Sequence, residues 1–154
     1  MTCAGFHPDG HLFAIGTATG DIKLFDVKSL ENVHNLSSSV RAPIQALSFS
    51  ENGTWLATVS QGETTVAIWD LRKTAEIKSI DIGSPVTSVA WDYTGQYLAA
   101  CGPGSVVVQQ YTKSSKSWSE PFRKAANALN IKWGANAQSL IALSGEGSVM
   151  VFSA

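Results

Sequence analysis

The sequence is short of charge. Asp, Glu, Lys and Arg make up 15% of its 154 residues, against roughly a quarter in an average globular protein. Much of each folded element is therefore expected to be covered, and disorder is excluded. The 11 Lys and Arg are scattered and the formal net charge is −1, which removes the broad positive field that nonspecific binding to nucleic acid or an anionic membrane needs. No apolar run approaches the roughly 18 residues of a membrane helix. The N-terminus lacks a basic segment followed by an apolar stretch and a cleavage site, so the chain reads as soluble and intracellular. Cysteine is limited to Cys3 and Cys101. Both lie in apolar, strand-like runs far apart and without a neighbour at metal-ligand spacing, so reduced, packed thiols are expected; a disulfide would need an oxidising compartment.

What is present is a repeat. FHPDGHLFAIG, FSENGTWLATV, WDYTGQYLAAC and WGANAQSLIAL begin at residues 6, 49, 91 and 133, spacings of 43, 42 and 42. Several short strands per unit of ~40–45 residues, without a 3.6-residue pattern, is the signature of propeller blades. In each unit an apolar inner strand (43–49, 86–91, 129–133) leads to a turn ending in Gly10, Gly53 or Gly95. Glycine there supplies the positive φ of a type I turn with a bulge. The fourth unit has Ala137 instead, which predicts a strained or differently built turn.

The second strands, such as Leu56-Ala57-Thr58-Val59 and Leu98-Ala99-Ala100-Cys101, are small and apolar, as expected of strands covered on both faces. Third strands are expected at 21–27, 65–71, 106–111 and 148–152, and outer strands at 33–36, 76–82 and 118–122. The fourth unit stops after its third strand, so its outer strand must come from elsewhere, and the first begins inside its inner strand. The reading is therefore of a C-terminal portion of a longer protein or a truncated gene model: an all-β chain of four antiparallel blades, at approximately 2–39, 40–83, 84–124 and 125–154, from an incomplete seven-bladed ring.

Trp69-Asp70 ends a third strand, as Phe25-Asp26 does one unit earlier. These dipeptides resemble the pair that names the WD-repeat family. The segments FHPDGHLFAIGTATGDIKLFD, LSFSENGTWLATV with VAIWDLRK, and YTGQYLAACG are, in collinear order, similar to the C-terminal blades of the pre-mRNA-processing factor 19 family. The resemblance implies an outer strand contributed from the N-terminal part of the ring. It also implies a nuclear location, partners in a spliceosome-associated complex, an upstream U-box that recruits a ubiquitin-conjugating enzyme, and a coiled coil that makes a homotetramer. Only the propeller is represented here, so no catalysis is expected of this chain. The sequence departs from the family pattern at Gln109-Gln110 and Phe152-Ser153, and Gly10-His11 falls in a turn rather than before an inner strand. Most of the Asp-His-Ser/Thr-Trp hydrogen-bond network is thus expected to be missing, leaving packing to hold the blades.

Chemistry finds few footholds. Of the three histidines, His7 and His11 are expected in one exposed turn and His34 in an outer strand, where solvation or turn hydrogen bonding explains them better than a catalytic triad. Gly102-Pro103-Gly104 and Gly145-Glu146-Gly147 lack the Gly-Lys-Ser/Thr of a phosphate loop and read as hairpin links. Arg72-Lys73, Lys113 with Lys116, and Arg123-Lys124 read as solvated. Trp118 is expected to pack across a blade edge, with exposure as a docking anchor the alternative. Ser114, Ser115 and Ser117 make its segment the expected mobile and phosphorylatable one.

No cofactor, metal site or catalytic residue is expected. The leading reading is a protein-binding platform whose contacts lie on one face, in the links that hold Arg41, Gln61, Glu63, Ser84, Asn127 and Glu146. Trp69, Asp70, Gly10, Gly53 and Gly95 are the expected structural residues. Neither direct nucleic-acid nor membrane binding is expected. An enzyme on a propeller and an RNA binder are the competing classes, and a generic WD-repeat adaptor unrelated to splicing is the alternative within the leading one.

Overall fold

The structure is a computed structural model that describes residues 1–153, Asn136 by its backbone alone. Ala154, the last residue of the fourth expected blade, lies outside the described residues. Strands β1 (Cys3–Phe6), β2 (Leu12–Gly16), β3 (Asp21–Asp26) and β4 (Asn32–Ser37) form the first sheet. The second holds β5 (Ile44–Phe49), β6 (Trp55–Ser60), β7 (Thr65–Asp70) and β8 (Ala75–Asp81). The third holds β9 (Ser88–Trp91), β10 (Tyr97–Cys101), β11 (Ser105–Thr112) and β12 (Ser117–Ala125). The fourth holds β13 (Asn130–Trp133), β14 (Ser139–Leu143) and β15 (Val149–Ser153), three strands among the described residues. Strands consecutive in sequence pair antiparallel within each sheet, as in a β-propeller blade. No described helix is long and apolar enough to cross a membrane.

Strand register reproduces the repeat residue by residue. Phe13, Leu56, Leu98 and Leu140 lie opposite Phe25, Trp69, Gln109 and Phe152. The same slot on the third strand therefore holds Phe in the first and fourth sheets, Trp in the second and Gln in the third. The inner strands β1, β5, β9 and β13 pack in succession, and the seams between sheets carry the core. Ala14, Ile22, Leu24 and Leu36 meet Ile44, Leu56 and Trp69 at the first seam. Val59, Val66, Ile68 and Ile82 meet Val86, Val89, Trp91 and Leu98 at the second, and Ala99, Cys101, Val106 and Val108 meet Ala128, Ile131 and Leu140 at the third. Buried β6 and β10 have neighbours on both sides, whereas Ile141, Leu143, Val149 and Val151 of the last sheet are exposed.

The turns follow the same repeat. Gly10, Gly53 and Gly95 take φ of 75°, 68° and 68°, and each donates its N–H to the carbonyl three residues back, His7, Ser50 and Asp92. In the fourth sheet a 3-10 turn at Ala135–Ala137 replaces this, with Ala137 held at φ 53°. A left-handed alanine costs roughly 1–2 kcal/mol.

Three expectations need correction. His7 is not in an exposed turn: its side chain is 11% exposed, its ring meets the edge of Phe49 at 5.4 Å, and Nε2 lies 2.9 Å from the Gly53 carbonyl oxygen. The imidazole reaches across because Gly53 has no Cβ; one there would come within 2.5 Å of the ring. The third outer strand runs from Ser117 to Ala125, well past the expected 118–122, because its ladder with β11 continues through Val107↔Arg123, Val106↔Lys124 and Ser105↔Ala125. Arg123 is not simply solvated: it donates to both carboxylate oxygens of Glu120 (2.6 and 2.8 Å) and to the Ile82 carbonyl of the preceding sheet (2.9 Å).

Candidate functional site

The links before the inner strands and after the second strands are stitched together by a backbone bond that repeats at each seam. Ile44 N–H donates to Thr17 O (3.0 Å), Val86 to Glu63 O (3.1 Å) and Ala128 to Gly102 O (3.0 Å). The approach is close enough that a Cβ on Gly102 would lie 1.8 Å from the Pro85 oxygen. This rim carries the six candidate partner-binding residues, and its stiffness comes from main-chain bonds that leave the side chains unoccupied.

Arg41, in the β4–β5 link, and Ser84 are the exceptions. The Arg41 guanidinium donates to Asp21 Oδ1 at 3.1 Å, and the Asp21 carboxyl, which accepts from the hydroxyls of Ser37 and Thr19, is held below the usual carboxylate range chiefly by Ser37. Gln61 and Glu63 flank Gly62 at φ 80° in the β6–β7 link. Ser84 precedes β9 and shares a 2.8 Å hydroxyl bond with Ser105 of the same blade. Glu63 and Ser84 thus sit on adjoining links joined by the Val86 bond. Asn127 precedes β13, and Glu146 lies at the tip of the β14–β15 link, where its N–H donates to Ser144 Oγ at 3.2 Å. Among the described residues the side chains of Gln61, Glu63, Asn127 and Glu146 make no hydrogen bond; the structure sets them along one rim without drawing them into one cluster.

Trp69, Asp70, Gly10, Gly53 and Gly95 lie around the opposite ends of the strands. Asp70 Oδ1 accepts the Arg72 N–H at 2.9 Å, and Asp26 Oδ1 accepts from Lys28 and Ser29 at 2.9 and 2.8 Å. In both blades the carboxylate closes the turn into the outer strand. Trp69 is buried and Phe25 instead stacks on Phe13 at 5.2 Å. In the third blade Gln109 fills the slot and donates to Glu120 at 2.8 Å, which chains it to Arg123.

His7 and His11 approach the same oxygen of Asp9, at 2.7 and 3.5 Å, while the other nitrogen of His7 faces Gly53. Trp118 is partly buried against Trp55, Trp91 and Tyr111, with ring centroids at 6.0, 5.9 and 5.3 Å. Sequence reasoning missed the Gln109–Glu120–Arg123 chain, whose one signal was an amide in a slot that elsewhere holds an aromatic ring.

The comparisons with known proteins agree on the architecture. The chain is 29% identical over 151 residues to pre-mRNA-processing factor 19 of Schizosaccharomyces pombe, covering 97% of this chain and 31% of that protein. It is 33% identical over 159 residues to the protein of the same name from Oryza sativa subsp. japonica, covering 98% of this chain and 29% of that protein. It therefore spans between about a quarter and a third of the length of the curated relatives it matches. Its fold matches the Myceliophteria thermophila Cps50 (Swd1) β-propeller domain with a TM-score of 0.82 at 20% identity, over 99% of this chain and 51% of that one. A family model described as "Nucleolar protein 10-like, N-terminal domain" matches residues 1–151. With its stacked antiparallel sheets and this match along nearly all its length, the chain belongs to the nucleolar protein 10-like N-terminal β-propeller family.

Proposed function

We propose that this chain is a protein-interaction platform: the propeller portion of a nuclear pre-mRNA-processing factor that holds partners of a spliceosome-associated complex through the rim bearing Arg41, Gln61, Glu63, Ser84, Asn127 and Glu146. The observation that carries the reading is the repeated seam bond, which fixes the links while leaving most of their side chains unoccupied. Loops held by a rigid scaffold are where recognition concentrates. The relatives' name supports the splicing assignment, and with the family's name it favours the nucleus. In this proposal residues 1–154 are four blades of a larger, seven-bladed ring. The ubiquitin-ligase U-box that engages a ubiquitin-conjugating enzyme, and the coiled coil of a homotetramer, lie on other parts of the polypeptide. The chain itself does no catalysis and binds no nucleic acid or membrane.

The test is affinity purification from nuclear extract with mass spectrometry, comparing the natural chain with a variant in which those six residues are alanine and the circular dichroism is unchanged. Splicing proteins should accompany the first and be depleted from the second. Equal recovery of the same partners by both would remove this rim from consideration. Recovery of partners unrelated to splicing would favour a generic adaptor.

A further inference from the structure

The first three sheets join their third and outer strands through turns at residues 27–30, 71–74 and 113–116. In each the last turn residue is left-handed: Leu30 at φ 58°, Thr74 at φ 50° and Lys116 at φ 50°. Counting back four residues from these gives the residue that enters the turn, which is Asp26, Asp70 or Thr112. In the first two turns it brings an anion inside. Asp26 Oδ1 accepts the N–H groups of Lys28 and Ser29, and Asp70 Oδ1 accepts that of Arg72, whose guanidinium also pairs with the carboxylate at 3.4 Å. The main chain adds Leu30 N–H to Asp26 O at 2.9 Å and Lys73 N–H to Asp70 O at 3.2 Å. The third turn has no carboxylate in this place, and among the described residues none of the N–H groups at 113–116 donates a hydrogen bond within the protein.

Thr112 carries a hydroxyl where the other turns carry the acid. That oxygen sits one bond nearer the backbone than a carboxylate oxygen, and hydroxyls support turns more weakly than Asp does. Thr112, Lys113 and Lys116 are all exposed, and neither lysine forms an ion pair among the described residues. A phosphate on Thr112 brings a charge of about −1.5 to −2 and three acceptor oxygens. It supplies what Asp26 and Asp70 supply, beside two ammonium groups that lack a counter-charge. The neighbouring hydroxyls do not share this place. Ser115 and Ser117 bond each other at 2.6 Å, and Ser114 stands two residues on, where the other turns hold the cations Lys28 and Arg72.

We propose that Thr112 is a phosphorylation site, and that its phosphate caps the β11–β12 turn as Asp26 and Asp70 cap theirs. A protein kinase supplies the γ-phosphoryl group of ATP. The Oγ1–H bond breaks with its proton passing to the kinase's base, the Oγ1–P bond forms, and the bond from the γ-phosphorus to the bridging oxygen breaks as ADP leaves with the electron pair. Counted along the strands, Gln110 stands opposite Tyr97 as Asp70 stands opposite Trp55, so this hairpin runs two pairs further than its counterpart in the second sheet. Those pairs are Tyr111↔Trp118 and Thr112↔Ser117, and Trp118 packs against Trp55 and Trp91. Phosphorylation of Thr112 therefore tightens the hairpin end that clamps the seam between the second and third sheets. The site lies at the opposite strand ends from the six link residues and stands independently of them.

Occupancy is tested on the full chain expressed in eukaryotic cells and recovered with phosphatase inhibitors. After chymotryptic digestion the Thr112–Trp118 peptide should carry a phosphate that fragmentation places on Thr112 and that phosphatase removes. An unmodified peptide, or phosphate confined to Ser114, Ser115 or Ser117, would overturn the proposal. Thermal melting tests the capping. Phosphothreonine installed at position 112 during translation, and the substitution Thr112→Asp, should each raise the midpoint of the full chain by about 2–4 °C. Ser114→Asp, which moves a negative charge two residues along the same turn, should leave the midpoint nearly unchanged. No rise with phosphothreonine, or an equal rise with Ser114→Asp, would also overturn it; if Thr112→Asp misfolds, the phosphothreonine protein decides.

Discussion

The indole N–H of Trp69 donates to the hydroxyl of Thr58 at 2.9 Å, with both residues buried in the second sheet. The ring also packs against the first sheet, so one side chain ties hydrogen bonding within a blade to packing between blades. Trp69→Ala should cost about 3–5 kcal/mol by cavity formation and lost burial. Thr58→Val, which keeps the shape and strands the indole N–H, should cost about 1–3 kcal/mol. Urea denaturation gives both values, and a Thr58→Val protein as stable as the parent would show that the bond contributes nothing.

Glycine substitutions separate backbone strain from collision. Gly10 and Gly53 have similar positive φ, yet a Cβ at Gly10 meets nothing within 4 Å while one at Gly53 meets the His7 ring at 2.5 Å. Gly10→Ala should therefore cost about 1 kcal/mol, the left-handed penalty alone, and Gly53→Ala clearly more. Adding His7→Ala to Gly53→Ala should recover part of the difference in the same denaturation assay.

The opposite sign is expected at Thr74. It sits at φ 50° in the β7–β8 turn, a conformation that Leu30 and Lys116 share in the corresponding turns of the neighbouring sheets. A β-branched residue suits it poorly. Thr74→Gly should stabilise the protein by roughly 0.5–1 kcal/mol despite the added freedom of the unfolded chain. A lower denaturation midpoint would refute the strain argument.

Acid should loosen the turns. The Asp9 carboxyl is held low chiefly by the His11 N–H, Asp26 by the Ser29 N–H and Asp81 by the Gly83 N–H. A folded value below the unfolded one of about 3.9 means that protons bind the unfolded chain better. Their contribution is complete above that value and fades as pH falls through the folded ones. Denaturation midpoints should hold from pH 7 to 5 and then drop below about pH 4, and Asp26→Asn should shallow the drop.

Thiol chemistry reads the third seam. Burial pushes the Cys101 thiol up to about 11 and raises that of Cys3 as well, so little of either is the reactive thiolate near neutrality. Iodoacetamide at pH 8 should leave Cys101 unmodified in the folded protein and alkylate it readily in denaturant, as peptide mass spectrometry would reveal. Rapid native labelling would mean that the seam opens.

The repeat was legible because spacing survives where identity does not. Phe13, Leu56, Leu98 and Leu140 stand 43, 42 and 42 residues apart, so counting alone aligns them, and Phe25, Trp69, Gln109 and Phe152 share one slot because they pair with those four. The turn glycines were legible too, since positive φ restricts the residue choice. The seams were not: that His7 would leave its turn depends on the missing Cβ of Gly53, 46 residues away, and that Arg123 would reach Ile82 depends on how adjacent sheets are set. For the candidate rim, sequence supplied the links, while the bonds from Ile44, Val86 and Ala128 appear only when the sheets are stacked.

The crowding of Trp55, Trp91 and Trp118 has an optical consequence. Three of the five indoles gather at one seam, so ultraviolet emission from this molecule is weighted towards the joint between its second and third sheets. A fluorescence melt would follow the parting of that joint above all others, and a separate reporter would be needed to see the first sheet peel away.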